Sequence, residues 1–221
     1  MKNFIVIFLL FLYTTLAQNK YETSHKFIWE DSLKSYVNSA YGDNTRVYYR
    51  LAQCYCESGF NVLATSDFAG WKKKHVDTLN AIKKNMGAAG LCQFIWKTAI
   101  LYNATTVDTK QAFAVKYSTD IYNPLWSLKS MCRYMSYIDF YLLNTKNKTA
   151  RRKLVIDKEF AEEVSCAAYN TGEGRVLDRL NKYSDWLKIK QSILPEPGNY
   201  ADKINNVAKN MATLKRFKDL K

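Results

Sequence analysis

Glu57 is the side chain whose type and position best suit acid–base catalysis, because it lies where an apolar helical pattern meets a glycine. Val47, Leu51 and Cys54 recur at helical spacing, and Gly59 then offers a left-handed C-cap. A carboxyl group in the last turn of a helix faces the negative end of the helix dipole, and partial burial disfavours its charged form. Both effects raise its pKa, so Glu57 is a candidate general acid.

Two further segments interrupt the core-forming pattern. Residues 87–94 surround one polar side chain, Gln93, with small and apolar residues, and residues 167–176 contain Tyr169 and Asn170 beside two glycines. Small residues let a ligand or a second helix approach the backbone, while Gln93, Tyr169 and Asn170 carry hydrogen-bonding groups. Each segment alone is at least as compatible with a structural role, so only their combination indicates a functional site.

In chain order, the three segments resemble the lytic transglycosylases of the lysozyme-like superfamily, whose soluble type has Glu-Ser, Gly-Leu-Met-Gln and Ala-Tyr-Asn motifs. The corresponding residues here are Glu57-Ser58, Gly90-Leu91-Cys92-Gln93 and Ala168-Tyr169-Asn170. Residues 120–134 are similar to the family's helix entry, and residues 194–204 are similar to its closing segment. The resemblance covers about residues 48–207 and implies an all-α, lysozyme-like helical domain.

The resemblance implies an enzyme of the lyase class that acts on a polysaccharide. The family cleaves the β-1,4 bond between N-acetylmuramic acid and N-acetylglucosamine in peptidoglycan without water, and Glu57 matches its single catalytic acid. Glu57 would protonate the glycosidic oxygen and then, as a carboxylate, remove the proton of the muramoyl C6 hydroxyl, which closes a 1,6-anhydro ring. One carboxyl group thus replaces the carboxyl pair of ordinary glycosidases, and no cofactor or metal is expected.

The resemblance also assigns residues to substrate binding. Gln93 and Tyr169 match positions that hydrogen-bond the sugar and the catalytic carboxyl, and Asn170 matches a position beside the sugar's acetamido group. Tyr169 is a candidate to hold Glu57 in its reactive rotamer. Ser58 is the fourth substrate-binding candidate, although a role in bracing the turn fits its position better.

The chain departs from the family in one long insertion, which opens an alternative reaction. Residues 66–84 contain Asp67 and Asp77. Goose-type lysozymes of the same superfamily place aspartates in the corresponding stretch to activate water, so a hydrolysing muramidase is the first alternative. Glu173, the one other carboxyl inside a motif, is a further auxiliary candidate.

Two substitutions also separate the chain from the family pattern. Cys92 stands where methionine is usual, and Lys84 stands where the family has a serine that helps to position the substrate. The second alternative, from another functional class, is a peptidoglycan-binding or assembly protein that kept the fold and lost turnover. Retention of Glu57, Gln93 and Tyr169 argues against that alternative.

The chain divides into three predicted segments. Residues 1–17 combine a basic start, a short apolar core and small residues before Gln18, which predicts a cleaved secretory signal peptide. We predict a helical extension at residues 18–44 and a single lysozyme-like domain at residues 45–221, with seven to nine helices in total.

Caps and apolar spacing predict individual helices within the domain. Asn123, followed by Pro124 at the first helical position, predicts the start of a long helix. Asp157 predicts the start of another helix that ends before Gly172. A helical apolar pattern also runs through residues 200–214.

The chain is basic, with a formal net charge of +13 at pH 7 over 221 residues. In an exported protein this charge suits a polyanionic partner, namely nucleic acid, anionic lipid or an acidic cell-wall polymer, and no zinc-finger spacing or basic heptad region supports nucleic acid. The resemblance implies that the partner is the glycan strands of peptidoglycan. We expect a periplasmic or extracellular protein that is not stably inserted in a membrane after signal cleavage, with a monomer favoured. Five cysteines leave at least one thiol unpaired in a monomer, and their pairing stays open.

Overall fold

Helices dominate the described part of the chain, as the apolar periodicity predicts. The computed structural model describes residues 27, 29–64, 88–95 and 122–220. The eight α-helices within these ranges are α1 (Glu30–Tyr41), α2 (Val47–Ser58), α3 (Pro124–Leu142), α4 (Lys148–Ile156), α5 (Lys158–Thr171), α6 (Glu173–Leu180), α7 (Trp186–Ser192) and α8 (Pro195–Thr213). Strands β1 (Ala88–Ala89) and β2 (Phe94–Ile95) form one short antiparallel pair, and a 3-10 helix spans Lys215–Leu220. The all-α class is therefore confirmed for these residues.

The predicted starts of α3 and α5 are confirmed, and each is fixed by a capping side chain. The Oδ1 atom of Asn123 accepts hydrogen bonds from the backbone N–H groups of Leu125 and Trp126, and Pro124 occupies the first turn of α3. Asp157 caps α5 through its carboxylate. These caps satisfy N–H groups that have no partner inside the helix, so they define where each helix begins.

The end of α2 is set by Gly59, whose φ of +61° lies in the left-handed region that glycine adopts without a Cβ penalty. Its N–H group donates to the carbonyl of Tyr55 at 2.8 Å, which closes the last turn. Phe60 also has a positive φ, of 69°, so the chain turns sharply after the helix. The predicted C-cap is thus confirmed, and it places Glu57 in the last turn of α2.

The hydrophobic core lies where α2, α5 and α8 meet, with α1 against α2 and α3. Leu51 of α2, Val164 of α5 and Ile204 of α8 are fully buried. Leu33 and Val37 of α1 are also fully buried in the same core. Helix α1 therefore shares its core with the predicted domain, and the boundary between residues 44 and 45 stays a prediction.

A buried ion-pair network joins α2 to α3 and α5. The guanidinium group of Arg50, which is fully buried, pairs with Glu162, and Arg46 pairs with Asp139 and, at 3.1 Å, with Glu162. Rotating α2 would leave a buried charge unpaired, which costs several kcal/mol, on the order of 3 to 5. Because Arg50 and Glu57 are seven residues apart, close to two helical turns, the network also fixes the direction in which Glu57 points.

All five cysteines lie within the described residues, and each is a free thiol. The sulfur atoms of Cys54 and Cys92 are 4.0 Å apart, which brings them into contact without a covalent bond. The other thiols are buried or half-buried among the helices. Their main structural role is that of small apolar core residues, as the sequence predicts.

Several predicted features fall outside the described residues. These are the signal peptide at residues 1–17 and the insertion at residues 66–84, which includes Asp67, Asp77 and Lys84. Among the helices that are described, none combines the length and the apolar composition that a membrane crossing requires.

Candidate active site

Glu57 lies half-buried at the end of α2, with its carboxyl group held by a tyrosine from α8. The hydroxyl of Tyr200 donates a hydrogen bond to Oε1 of Glu57. Burial raises the pKa of Glu57 to about 7, while the hydrogen bond from Tyr200 and the positive charge of Lys203 oppose this rise. A carboxyl group with this pKa is partly protonated and partly ionised near neutral pH, so it is suited to give and to take a proton.

Gln93 lies in the tight turn between β1 and β2, with a positive φ of 50°. Its amide nitrogen Nε2 donates to the backbone carbonyl oxygens of Gly90 at 2.8 Å and Ala64 at 3.1 Å. These two bonds fix the amide plane, and no described residue donates a hydrogen bond to the amide oxygen Oε1. Gln93 and Glu57 line the same cavity, so this amide oxygen is a candidate acceptor for a ligand there.

Tyr169 and Asn170 occupy the last turn of α5, opposite the hairpin. The Tyr169 hydroxyl donates to the backbone carbonyl of Cys92 at 2.7 Å, which ties α5 to the β1–β2 turn. The Tyr169 hydroxyl thus donates to the hairpin, while the Glu57 carboxyl in the same cavity accepts its hydrogen bond from Tyr200. Asn170 is exposed, so its amide is free to meet a ligand at the mouth of the site.

These segments enclose a cavity of about 260 Å³. Its lining residues come from α2, the β1–β2 hairpin, α3 and α5, and they are Glu57, Ala88, Gln93, Phe94, Tyr134, Tyr169 and Asn170. Ring centroids of Phe94 and Tyr134 lie 6.1 Å and 5.5 Å from that of Tyr169, so three aromatic rings form one wall. The cavity thus combines one acid, two amides and an aromatic wall, a composition that suits a sugar ring.

The remaining predicted site residues lie outside this lining. The Ser58 hydroxyl donates to the carbonyl of Cys54 at 3.0 Å, so it braces the last turn of α2. Glu173 accepts a hydrogen bond from the Tyr134 hydroxyl at 3.3 Å, so it contacts one residue of the aromatic wall without lining the cavity itself. Asp67 and Asp77 lie outside the described residues.

Sequence reasoning did not assign Tyr200 and Tyr134 to the site. Tyr200 begins the helical apolar pattern of residues 200–214, and Tyr134 ends the segment 120–134 that resembles the family's helix entry, so neither pattern gives the hydroxyl a role. One chemical argument could have identified Tyr200 from the sequence: a tyrosine hydroxyl on a buried helix face needs a hydrogen-bond partner. For Tyr200 that partner is the candidate acid.

Comparison with known proteins identified no relative of this chain. The chain matches no family model, no curated protein and no solved structure. The family resemblance therefore rests on the motifs alone. Within the described ranges, no three His, Cys, Asp or Glu side chains are grouped as a metal site would require.

Proposed function

We propose that this protein is a peptidoglycan lytic transglycosylase in which Glu57 acts first as an acid and then as a base. The observation that carries the proposal is the position of Glu57, with a pKa of about 7, in a cavity shared with Gln93, Tyr169 and Asn170. These residues come from three segments that are far apart in the chain. Their convergence on one cavity is what a common role in a single reaction requires.

In the first step, protonated Glu57 gives its proton to the glycosidic oxygen while the bond from C1 of N-acetylmuramic acid to that oxygen breaks. Positive charge then develops on C1 and the ring oxygen, and the nearby carboxylate stabilises it. The hydrogen bond from Tyr200 keeps one carboxyl oxygen occupied, so the other oxygen, Oε2, is the one available to the substrate. The raised pKa makes the protonated form available near neutral pH.

In the second step, the C6 hydroxyl oxygen of the same sugar bonds to C1, and its proton passes to the Glu57 carboxylate. This closes the 1,6-anhydro ring and regenerates the protonated acid, so no water is consumed. Among the described residues that line the cavity, Glu57 is the only carboxylate, which is consistent with a mechanism that needs one. The Gln93 acceptor and the exposed Asn170 amide would hold the sugar's hydroxyl and acetamido groups during this exchange.

The test is peptidoglycan zymography of the wild type and Glu57→Gln, followed by mass analysis of the products. We expect clearing by the wild type, loss of clearing by Glu57→Gln, and products that end in 1,6-anhydro-muramic acid. Products that are one water heavier would identify a muramidase and would direct attention to Asp67 and Asp77. Retained peptidoglycan binding without clearing would identify the non-catalytic alternative.

We also propose that the protein acts outside the cytoplasm, since its substrate lies there and residues 1–17 have the pattern of a cleaved signal peptide. N-terminal sequencing of the protein recovered from its host checks this proposal. A mature chain that starts near Gln18 is the expected result. An intact N-terminus in the cytoplasmic fraction would contradict it.

A further inference from the structure

Two of the five cysteines lie against each other in the core. Cys54 belongs to α2 and Cys92 to the turn between β1 and β2, and their sulfur atoms are 4.0 Å apart. Both side chains are fully buried. Among the five cysteines, all of which the structure describes, this is the only pair of thiols in contact. The structure thus singles out one pairing that the sequence leaves open.

The backbone on both sides of this contact is held in place. The carbonyl of Cys92 accepts a hydrogen bond from the Tyr169 hydroxyl at 2.7 Å. In the same turn, the N–H group of Gly90 donates to the carbonyl of Ala64 at 2.8 Å, and Cys54 is fixed by the backbone hydrogen bonds of α2. A disulfide has a sulfur–sulfur bond of about 2.05 Å, so the two sulfur atoms need to approach each other by about 2 Å. This distance is on the scale of a side-chain rotation, so neither element has to move far.

We propose that Cys54 and Cys92 form a disulfide bond when the chain folds in an oxidising compartment. The oxidant is a disulfide of a protein or of a small molecule. The Cys54 thiolate attacks this disulfide, which forms a mixed disulfide and releases one thiolate, and the Cys92 thiolate then attacks the Cys54 sulfur and releases the second. The two cysteines together lose two protons and two electrons, and the oxidant becomes two thiols.

Burial decides when this bond can form. In the folded chain both thiols are fully buried, so an oxidant cannot reach them. Burial also raises the pKa of the Cys92 thiol well above its usual value, which makes the attacking thiolate scarce. The bond therefore forms before the core closes, and the closed core then protects it from reduction.

The bond connects the two elements that carry the candidate acid and the amide that shares its cavity. Cys54 lies one helical turn before Glu57, and Cys92 directly precedes Gln93. The bond also closes the segment 55–91, which includes the insertion at residues 66–84. A cross-link restricts the unfolded chain, and the effect grows with the length of the closed segment. We therefore expect the oxidised protein to unfold at a temperature about 10 °C higher than the reduced protein.

The test refolds the full chain from denaturant in a buffer that contains reduced and oxidised glutathione. Free thiols are then alkylated under denaturing conditions, and mass analysis counts them and identifies linked peptides. We expect three alkylated thiols in the wild type, all five after reduction, and one linked peptide pair that contains Cys54 and Cys92. Five alkylated thiols before reduction, or a bond between other cysteines in its place, would overturn the inference.

Thermal unfolding then compares protein refolded in this buffer with protein refolded in a reductant. Cys54→Ala should remove the difference in melting temperature between the two preparations. Cys132→Ala is the matched control, because it removes a fully buried thiol that contacts no other thiol, and it should keep the difference. The peptide map of the wild type decides the pairing even if a variant does not fold. A linked wild type that melts at the same temperature as the reduced protein would refute the stabilising role. Neither readout requires cleavage of peptidoglycan, so the disulfide and the proposed activity can fail separately.

Discussion

Glu57 derives its chemical behaviour from two opposing influences of its surroundings. Burial favours the neutral acid and raises the pKa to about 7, whereas the Tyr200 hydroxyl and the Lys203 charge favour the carboxylate. A residue that gives a proton and then takes one needs both forms within reach at the working pH. Desolvation is the larger influence, and the hydrogen bond from Tyr200 limits the rise in pKa, which keeps the carboxylate form accessible near neutral pH.

Tyr200→Phe tests the role of this hydrogen bond. Because the bond favours the charged form, its loss should raise the pKa of Glu57 further and move the alkaline limb of the pH–rate profile to higher pH. The carboxylate also loses an orienting partner, so kcat should fall by about tenfold. The measurement is kcat and kcat/KM across the neutral pH range.

Tyr183→Phe is the control for Tyr200→Phe. Tyr183→Phe also removes a tyrosine hydroxyl from a half-buried side chain, but that hydroxyl bonds to no described residue, and Tyr183 does not line the cavity that contains Glu57. Its profile should match the wild type. If the pH–rate profile of Tyr200→Phe superimposes on those of the wild type and Tyr183→Phe, the hydrogen bond from Tyr200 does not control the pKa of Glu57.

Glu57→Gln should stabilise the protein in a pH-dependent way. The carboxyl has an ordinary pKa of 4.5 and a folded-state pKa of about 7, so its contribution to stability is full below pH 4.5 and is lost as pH rises through 7. The variant does not titrate, and it should gain up to about 3 kcal/mol over the wild type above pH 7 and much less at pH 4. Urea unfolding above pH 7 and at pH 4 measures the difference in free energy of unfolding between the variant and the wild type. An equal difference at the two pH values would contradict the prediction.

At the scale of elements, the ends of helices and the hairpin turn decide where the site residues lie. Glu57 lies in the last turn of α2, Tyr169 and Asn170 lie at the end of α5, and Gln93 lies in the turn between two short strands. Helix ends are set by local signals, so the sequence predicted them well. The hairpin was not predicted, because strands of two residues carry no periodicity and a positive φ at a glutamine has no sequence signature.

Gly59→Ala tests the element end that positions Glu57. Nothing lies within 4 Å of an added Cβ there, but the φ of +61° strains alanine, so we expect a loss of about 1 kcal/mol of stability. Gly174→Ala is the matched variant, in a helix, with equally open space and no positive φ. It should stabilise by about 0.5 kcal/mol. Urea unfolding of both compares them, and effects of the same sign would show that backbone strain at Gly59 is not the cause.

At the scale of the whole molecule, the motifs indicated which segments come together at one cavity but not which of their atoms form hydrogen bonds. Tyr200 bonds to Glu57 across 143 positions, and the hydroxyl of Tyr169, which lines the same cavity as Glu57, donates to the carbonyl of Cys92. Such pairings depend on how α2, α5 and α8 cross, and helical periodicity gives the buried face without the crossing angle. The buried pair of Arg50 and Glu162 escaped prediction for the same reason.

The position of α1 leads to a prediction about the molecule as one cooperative unit. Leu33 is fully buried between α1 and the rest of the core, so Leu33→Ala should lower the free energy of unfolding by about 2 to 5 kcal/mol. Leu63→Ala, at a side chain that is 68% exposed, is the control and should change it by about 0.5 kcal/mol or less.

The decisive measurement follows far-UV circular dichroism and residual activity of both variants during heating. Because α1 lies against α2 and α3, which carry Glu57 and Tyr134, loosening α1 should also disturb the cavity that these two residues line. Both signals of Leu33→Ala should therefore decline together, at a lower temperature than in Leu63→Ala and the wild type. Partial loss of helical signal with unchanged thermal stability of the activity would instead show that α1 unfolds independently, as a separate N-terminal extension would.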